Sequence, residues 1–267
     1  MSGDGYFSDD SAIRLIGRES VLMLGGGRAL LMQAAHPLVA AGIVDHSRYR
    51  DEPWRRLART MAALYTIVFG TRAEADRVGE AVRAVHARVA GRRGSRSYSA
   101  SDPQLMLWVH STLVDTGLAM YEAYVGRVED AVAEEFYEQM KTVATVFGAP
   151  PDVHPETLAD FRAYQREMIA SGRVRVGADA REAAAAILDP PVPAALRPAL
   201  WPLVTANVGL LPEPLREQYG LRWTRAHGAL AAAGARSARR LVVPLLPLPV
   251  RRTQQLPLRV LTAFARL

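Results

Sequence analysis

The feature that most constrains this chain is the spacing of its apolar residues. They recur at helical intervals in segment after segment, and none settles into the two-residue alternation of a half-buried strand. Ala73 to Val89 shows the pattern most clearly. Val78, Val82, Val85 and Val89 follow at steps of four, three and four, which predicts one apolar stripe along an amphipathic helix. Composition agrees: the chain is 49% hydrophobic and 22% charged, and rich in the helix formers Ala, Leu, Arg and Glu. The expected fold class is all-α.

Proline and glycine punctuate the helices. Ser11 to Glu19 reads as a short helix after a polar start. Val21 to Ala35 is apolar but interrupted at Gly25-Gly26-Gly27, and His36-Pro37 breaks or kinks it before a helix over Leu38 to Val44. Pro53 suits the first turn of a helix that runs to Phe69 and stops at Gly70, whereas Gly91 to Ser95 reads as a loop. Asp102-Pro103 supplies an N-cap and an N1 proline for a long helix to Val125, and Glu129 to Phe147 forms another, closed by Gly148. Further helices are expected over 155–171, 179–188, 194–210 and 215–219, with a last long one over 224–241. The organisation is then a disordered start (1–10), one helical domain (11–241) and a basic, proline-rich tail with a short helix (242–267).

The absence of cysteine excludes disulfides, thiolate metal sites and cysteine nucleophiles. Lys+Arg number 33 against 27 Asp+Glu, and Lys141 is the single lysine. The arginines are interleaved with acids and no basic run carries aromatics, so a nucleic-acid partner is not expected. The acidic, polar start does not resemble a signal peptide and no apolar run reaches the ~20 residues of a membrane span, which points to the cytoplasm. Val243 to Leu267 is basic, apolar and proline-broken. It is open to docking on the domain or to peripheral contact with a membrane surface.

Chemistry concentrates among four of the six histidines, His36, His46, His86 and His110, each in or at the corner of a predicted helix. His86 borders the apolar stripe of its helix, where a neutral imidazole can enter a hydrophobic pocket as an axial haem ligand must. The preceding helix carries Arg56, Arg59 and Thr60. Folding the two into an antiparallel hairpin about Thr71-Arg72 puts Thr60 roughly 18 Å and His86 roughly 21 Å from the turn, so they face one cleft. Gly25, Gly26 and Gly27 lose roughly 2–3 kcal/mol of helix propensity relative to alanine, which close approach to a flat cofactor or to another helix would explain. Neither a phosphate loop, a zincin, a di-iron Glu-x-x-His pair nor a G-x-S-x-G elbow is present, while a three-histidine metal site assembled from separate helices stays open.

At these residues the strings LGGGRALLMQAAHPLVAAGIVDHS, RLART, VHARV, YSASDPQLMLWVHSTLVDT and LLPEPLREQYGLRW resemble the family of MpaB-type oxygenases and the rubber oxygenase (latex-clearing protein) catalytic domain, formerly domain of unknown function 2236. The resemblance spans residues 10–225. It implies an all-α, globin-like core holding haem b, with His86 as axial iron ligand and Arg56 and Thr60 as the pair on the preceding helix. It also implies cleavage of carbon–carbon double bonds of isoprenoid chains with dioxygen. His36 and His110 fall in its hallmark strings, with structural or pocket-polarity roles. The rubber oxygenases carry a displaceable lysine beside the threonine. Here Arg59 holds that place, and arginine does not readily give up its proton to ligate iron. Their acidic base has no evident counterpart, and Asp45 or His46 could substitute only if that corner folds back.

The chain is thus expected to be a haem b-dependent, oxygenase-like oxidoreductase that activates dioxygen or peroxide towards an apolar, isoprenoid-like small molecule. In that expectation Arg56, Arg59, Thr60 and His46 are catalytic, and His86 holds the iron. Gly25, Gly26, Gly27, His36, His110 and Arg56 border the cofactor. The rival expectations are a non-catalytic haem-binding or gas-sensing protein, and a non-haem metal protein using the histidines.

Overall fold

A computed structural model describes residues 4–46, 53–188 and 197–252, and these are overwhelmingly helical. In chain order the helices are α1 (Ala12–Gly17), a 3-10 turn (Ser20–Gly25), α2 (Gly26–Ala35), α3 (Pro37–His46), α4 (Pro53–Phe69) and α5 (Arg72–His86). A hairpin of β1 (Ala90–Arg93) and β2 (Arg96–Ser99) follows. Then come α6 (Pro103–Tyr124), α7 (Asp130–Val146), α8 (Leu158–Ala170), α9 (Ala178–Leu188), α10 (Arg197–Gly209), α11 (Glu213–Gln218) and α12 (Arg225–Ser237). A π turn (Ala238–Val242), a 3-10 turn (Val243–Leu245) and α13 (Leu248–Arg251) complete the described chain. Among the described residues no single helix is long and apolar enough to cross a membrane.

Local signals set most boundaries. Asp102 caps α6, its side chain accepting from the backbone N–H groups of Gln104 at 2.8 Å and Leu105 at 3.3 Å, with Pro103 behind it. His36 is extended (ψ 121°) and Pro37 begins α3, so the axis bends by 110° between the two apolar segments. Two expectations are corrected. Gly91 to Ser95 is not a plain loop: Gly94 takes φ +58°, which lets the chain turn tightly enough for the flanking residues to pair as β1 and β2. The polar start is not disordered over residues 4–10. Phe7 enters the core, and Tyr6 donates a 2.5 Å hydrogen bond to Asp76 beneath the Arg72 guanidinium.

The long helix α6 is apolar on most sides and buried accordingly. Its Val114 and Leu118 join one core with α1, α4 and α7 around Ile67, Tyr137 and Phe161. Its Trp108 joins a second core, built on α2, α3, α8 and α9 around Leu31, Met32 and Leu215.

Because α2 is buried on nearly every side, its backbone ends need partners from other helices. At the C-terminal end, Met32 O accepts from Trp108 Nε1 at 3.2 Å and Ala35 O from the Arg175 amide at 2.9 Å. At the N-terminal end, Gly25 has no side chain to cap with, and Asn207 of α10 acts instead. Its Oδ1 accepts from the Arg28 amide at 2.5 Å, while its Nδ2 donates to Leu24 O. The Arg28 side chain is buried too. Nε donates to Leu210 O at 2.7 Å, Nη1 to Thr116 Oγ1 at 2.7 Å and Nη2 to Asp115 Oδ2 at 2.5 Å. One guanidinium therefore ties α2 to α6 and to the end of α10.

Replacing Arg28 by methionine keeps volume but strands Asp115, the buried Thr116 hydroxyl and the half-buried Leu210 carbonyl. Breaking a fully buried pair costs about 3–5 kcal/mol, and the 29% exposure of the Asp115 side chain puts this one at the lower end. Urea unfolding of Arg28→Met should show a loss of that order, and a midpoint equal to wild type would refute the assigned role.

Candidate active site

The α4–α5 hairpin anchors the region. A capping box starts α5: Thr71 Oγ1 accepts from the Glu74 amide at 3.3 Å, and Glu74 Oε2 accepts from the Thr71 amide at 2.9 Å. The inward face of α5 is only partly the valine stripe, of which Val78 and Val89 are half-buried. Val85 is 58% exposed, whereas Ala75 and Gly79 are buried and Val82 is half-buried. Gly79 lies so close to the Val146 carbonyl that a Cβ would come within 2.6 Å of it. Contact with α7 at that separation selects small residues over branched ones, so the helix rotates to present Ala75, Gly79, Val82 and His86. His86 therefore lies on the packing stripe rather than beside it.

His86 is the last residue of α5. Its Nδ1 is buried without a hydrogen-bond partner, and burial lowers its pKa, which favours the neutral ring. Leu57 of α4 packs on Gly26, while Arg59 and Thr60, two and three residues further on, are exposed. Arg56 is on the same helix, one turn before Thr60, with its side chain outside the described part of the structure. The three glycines meet three different helices. A Cβ would come within 2.6 Å of Met120 at Gly25, 2.7 Å of Leu57 at Gly26 and 3.1 Å of Asn207 at Gly27.

The other histidines are dispersed. His36, at the α2–α3 corner, has a buried, unpaired Nδ1 and a pKa pushed down to about 4, chiefly by burial. His110, on α6, is buried, with Nε2 unpaired and its pKa pushed down to about 3 by burial and then by His154. The ring of His154 stands edge-on to it, centroids 5.2 Å apart, with both nitrogens buried and unpaired. No group of three or more His, Cys, Asp or Glu suited to a metal ion occurs among the described residues, so the histidines do not converge there as a three-ligand set.

His46 belongs to a different constellation. Its Nε2 is 3.2 Å from the Tyr98 hydroxyl, which donates a 2.5 Å hydrogen bond to Asp45 Oδ2. Arg93 donates to Asp45 Oδ1 at 2.6 Å and to Asp179 at 3.1 Å. The Tyr98 hydrogen bond is the main cause lowering the Asp45 pKa, while burial and then Asp45 push Tyr98 up to about 12. The corner is thus clamped by the hairpin, which begins four residues after His86. Sequence reasoning passed over Tyr98 because its role depends on the turn at Gly94. It gave His154 no role because its sequence context is polar, and its partner is 44 positions away.

The chain matches the family described as "ER-bound oxygenase mpaB/B'/Rubber oxygenase, catalytic domain" over residues 13–243. It belongs to this family. Two proteins described as uncharacterized, one from Mycobacterium bovis and one from Mycobacterium tuberculosis, are each 28% identical to it over 207 residues, covering 74% of this chain and 79% of the relative. No solved structure matches. Membership of the mpaB/rubber oxygenase family makes an oxygenase-type enzyme the coarse reading of this fold. Its span takes in the α4–α5 hairpin, the Tyr98 clamp and the His110–His154 pair together.

Within this family member His110 gives a pH prediction. Its folded pKa lies far below the ordinary histidine value of roughly 6.5, so the unfolded chain binds the extra proton first. Stability should be complete above that pH and decline as pH falls towards about 3. Between pH 6.5 and 5 the share of one such histidine is about 2 kcal/mol. Urea unfolding at several pH values should show a shallower decline for His110→Asn than for wild type, and identical slopes would contradict the assignment.

Proposed function

We propose that the chain is a haem b-dependent oxygenase-like enzyme that uses dioxygen or peroxide to oxidise or cleave an apolar small molecule of isoprenoid type. The observation that carries this reading is His86. It closes a helix on its packing stripe, is kept neutral by burial and has an unpaired buried nitrogen. A neutral ring with a lone pair free of competing hydrogen bonds is what axial ligation requires. Bound haem would supply the redox centre that activates the oxidant.

The remaining residues would bind and orient. Arg56 suits a carboxylate such as a haem propionate, which a guanidinium grips with two parallel hydrogen bonds. Thr60 and Arg59 offer hydrogen-bond donors from α4 to an oxygen species. Gly25, Gly26 and Gly27, expected to border the cofactor, instead bring the start of α2 close against α6, α4 and α10, so their small size serves helix packing. His36 and His110, held neutral, keep charge out of the surroundings. Tyr98 stays protonated to about pH 12 and orients Asp45 and His46 instead of acting as a base.

Expression with a haem precursor tests this reading. Wild type should show a Soret band at one haem per chain, lost or markedly shifted in His86→Ala, and oxygen uptake should follow addition of an apolar isoprenoid. A missing band, or one indifferent to His86, would overturn it.

A further inference from the structure

The last part of the described chain differs in charge and surface from the rest. Gln218 to Arg252 contains seven arginines and no acid, and no acid follows to the end of the sequence. Arg222, Arg225, Arg236, Arg239 and Arg240 are exposed and form no ion pair among the described residues. Leu230, Leu241, Val242, Leu245, Leu248 and Val250 in the same stretch are between 49% and 81% exposed. Only two other large hydrophobics among the described residues, Leu24 and Val85, are similarly open.

The segment is nevertheless anchored. α12 packs on α6 and α10, the π turn packs on α6, and Arg251 donates a 3.0 Å hydrogen bond to the buried Glu19. A fixed element that turns large aliphatic residues and unpaired arginines to the outside matches an interface between anionic headgroups and acyl chains. Beside Leu230, an open depression of about 190 Å³ is lined largely by apolar side chains, including Val204, Val208 and Trp223. Tryptophan favours the water–lipid boundary.

We propose that the face formed by residues 222–252 docks onto an anionic phospholipid surface. The aliphatic side chains enter the headgroup boundary and the arginines pair with lipid phosphates and carboxylates. Docking does not depend on haem, and it would place the Trp223 depression where apolar molecules dissolve.

The test is co-sedimentation of the full chain with vesicles of phosphatidylcholine alone or mixed with phosphatidylglycerol. Binding is expected only with the anionic lipid and should weaken with added salt. Replacing Arg236, Arg239 and Arg240 together by glutamine should weaken it roughly a hundredfold, from ~1 kcal/mol per arginine near such a surface. Leu241→Ser with Leu245→Ser should weaken it at unchanged circular dichroism. If the double variant does not fold, the arginine variant still decides. Several results would overturn the proposal: no binding, equal binding to neutral vesicles, indifference to the arginines, tighter binding to duplex DNA, or a concentration-dependent dimer lost in the serine variant without vesicle binding.

Discussion

The buried guanidinium of Arg28 is the interaction on which the arrangement of helices depends. A helix enclosed on nearly every side cannot leave its amides to water, and α2 begins with glycines that offer no cap. Asn207 reaches in to accept from the Arg28 amide, and the Arg28 side chain reaches out to Asp115, Thr116 and the Leu210 carbonyl. The missing side chains of Gly25, Gly26 and Gly27 are what allow α6, α4 and α10 to approach closely enough for these bonds to form. Helix propensity lost at three positions is thereby offset by contacts distant in sequence.

The same economy of size operates at the candidate site. Gly79 lets α5 settle on the end of α7 and turns His86 inward, and Gly94 lets the chain reverse so that Tyr98 reaches Asp45 and His46. His86 thus lies between two rigid attachments, the α5–α7 contact and the clamped hairpin. Backbone held on both sides fixes the direction in which the imidazole points.

Much of the fold was legible in the sequence because its signals are local. Asp102-Pro103, Pro53, Gly70, Gly148 and the break at His36-Pro37 each act within a few residues. What was not legible depends on partners far along the chain. The valine spacing gave the period of α5 correctly but not its rotation, which the Val146 carbonyl decides. Arg28 read as one arginine among many, since nothing near it reveals Asp115 or Asn207. At the site, the inward setting of His86 was legible from its place near an apolar stripe, whereas the pairing of His110 with His154 and the contacts of Tyr98 arise only once α6, the Pro151–Val153 turn and the hairpin are folded.

That α6 contributes to both cores has a consequence for how the molecule comes apart. Two hydrophobic clusters in separate halves of a chain can melt in turn, each as its own cooperative unit. Here Trp108 and Val114 belong to different clusters yet share one uninterrupted helix, so fraying that helix withdraws support from both at once. The two clusters are therefore expected to unfold as a single cooperative unit, with amides of α2 and α7 exchanging with solvent through the same global opening.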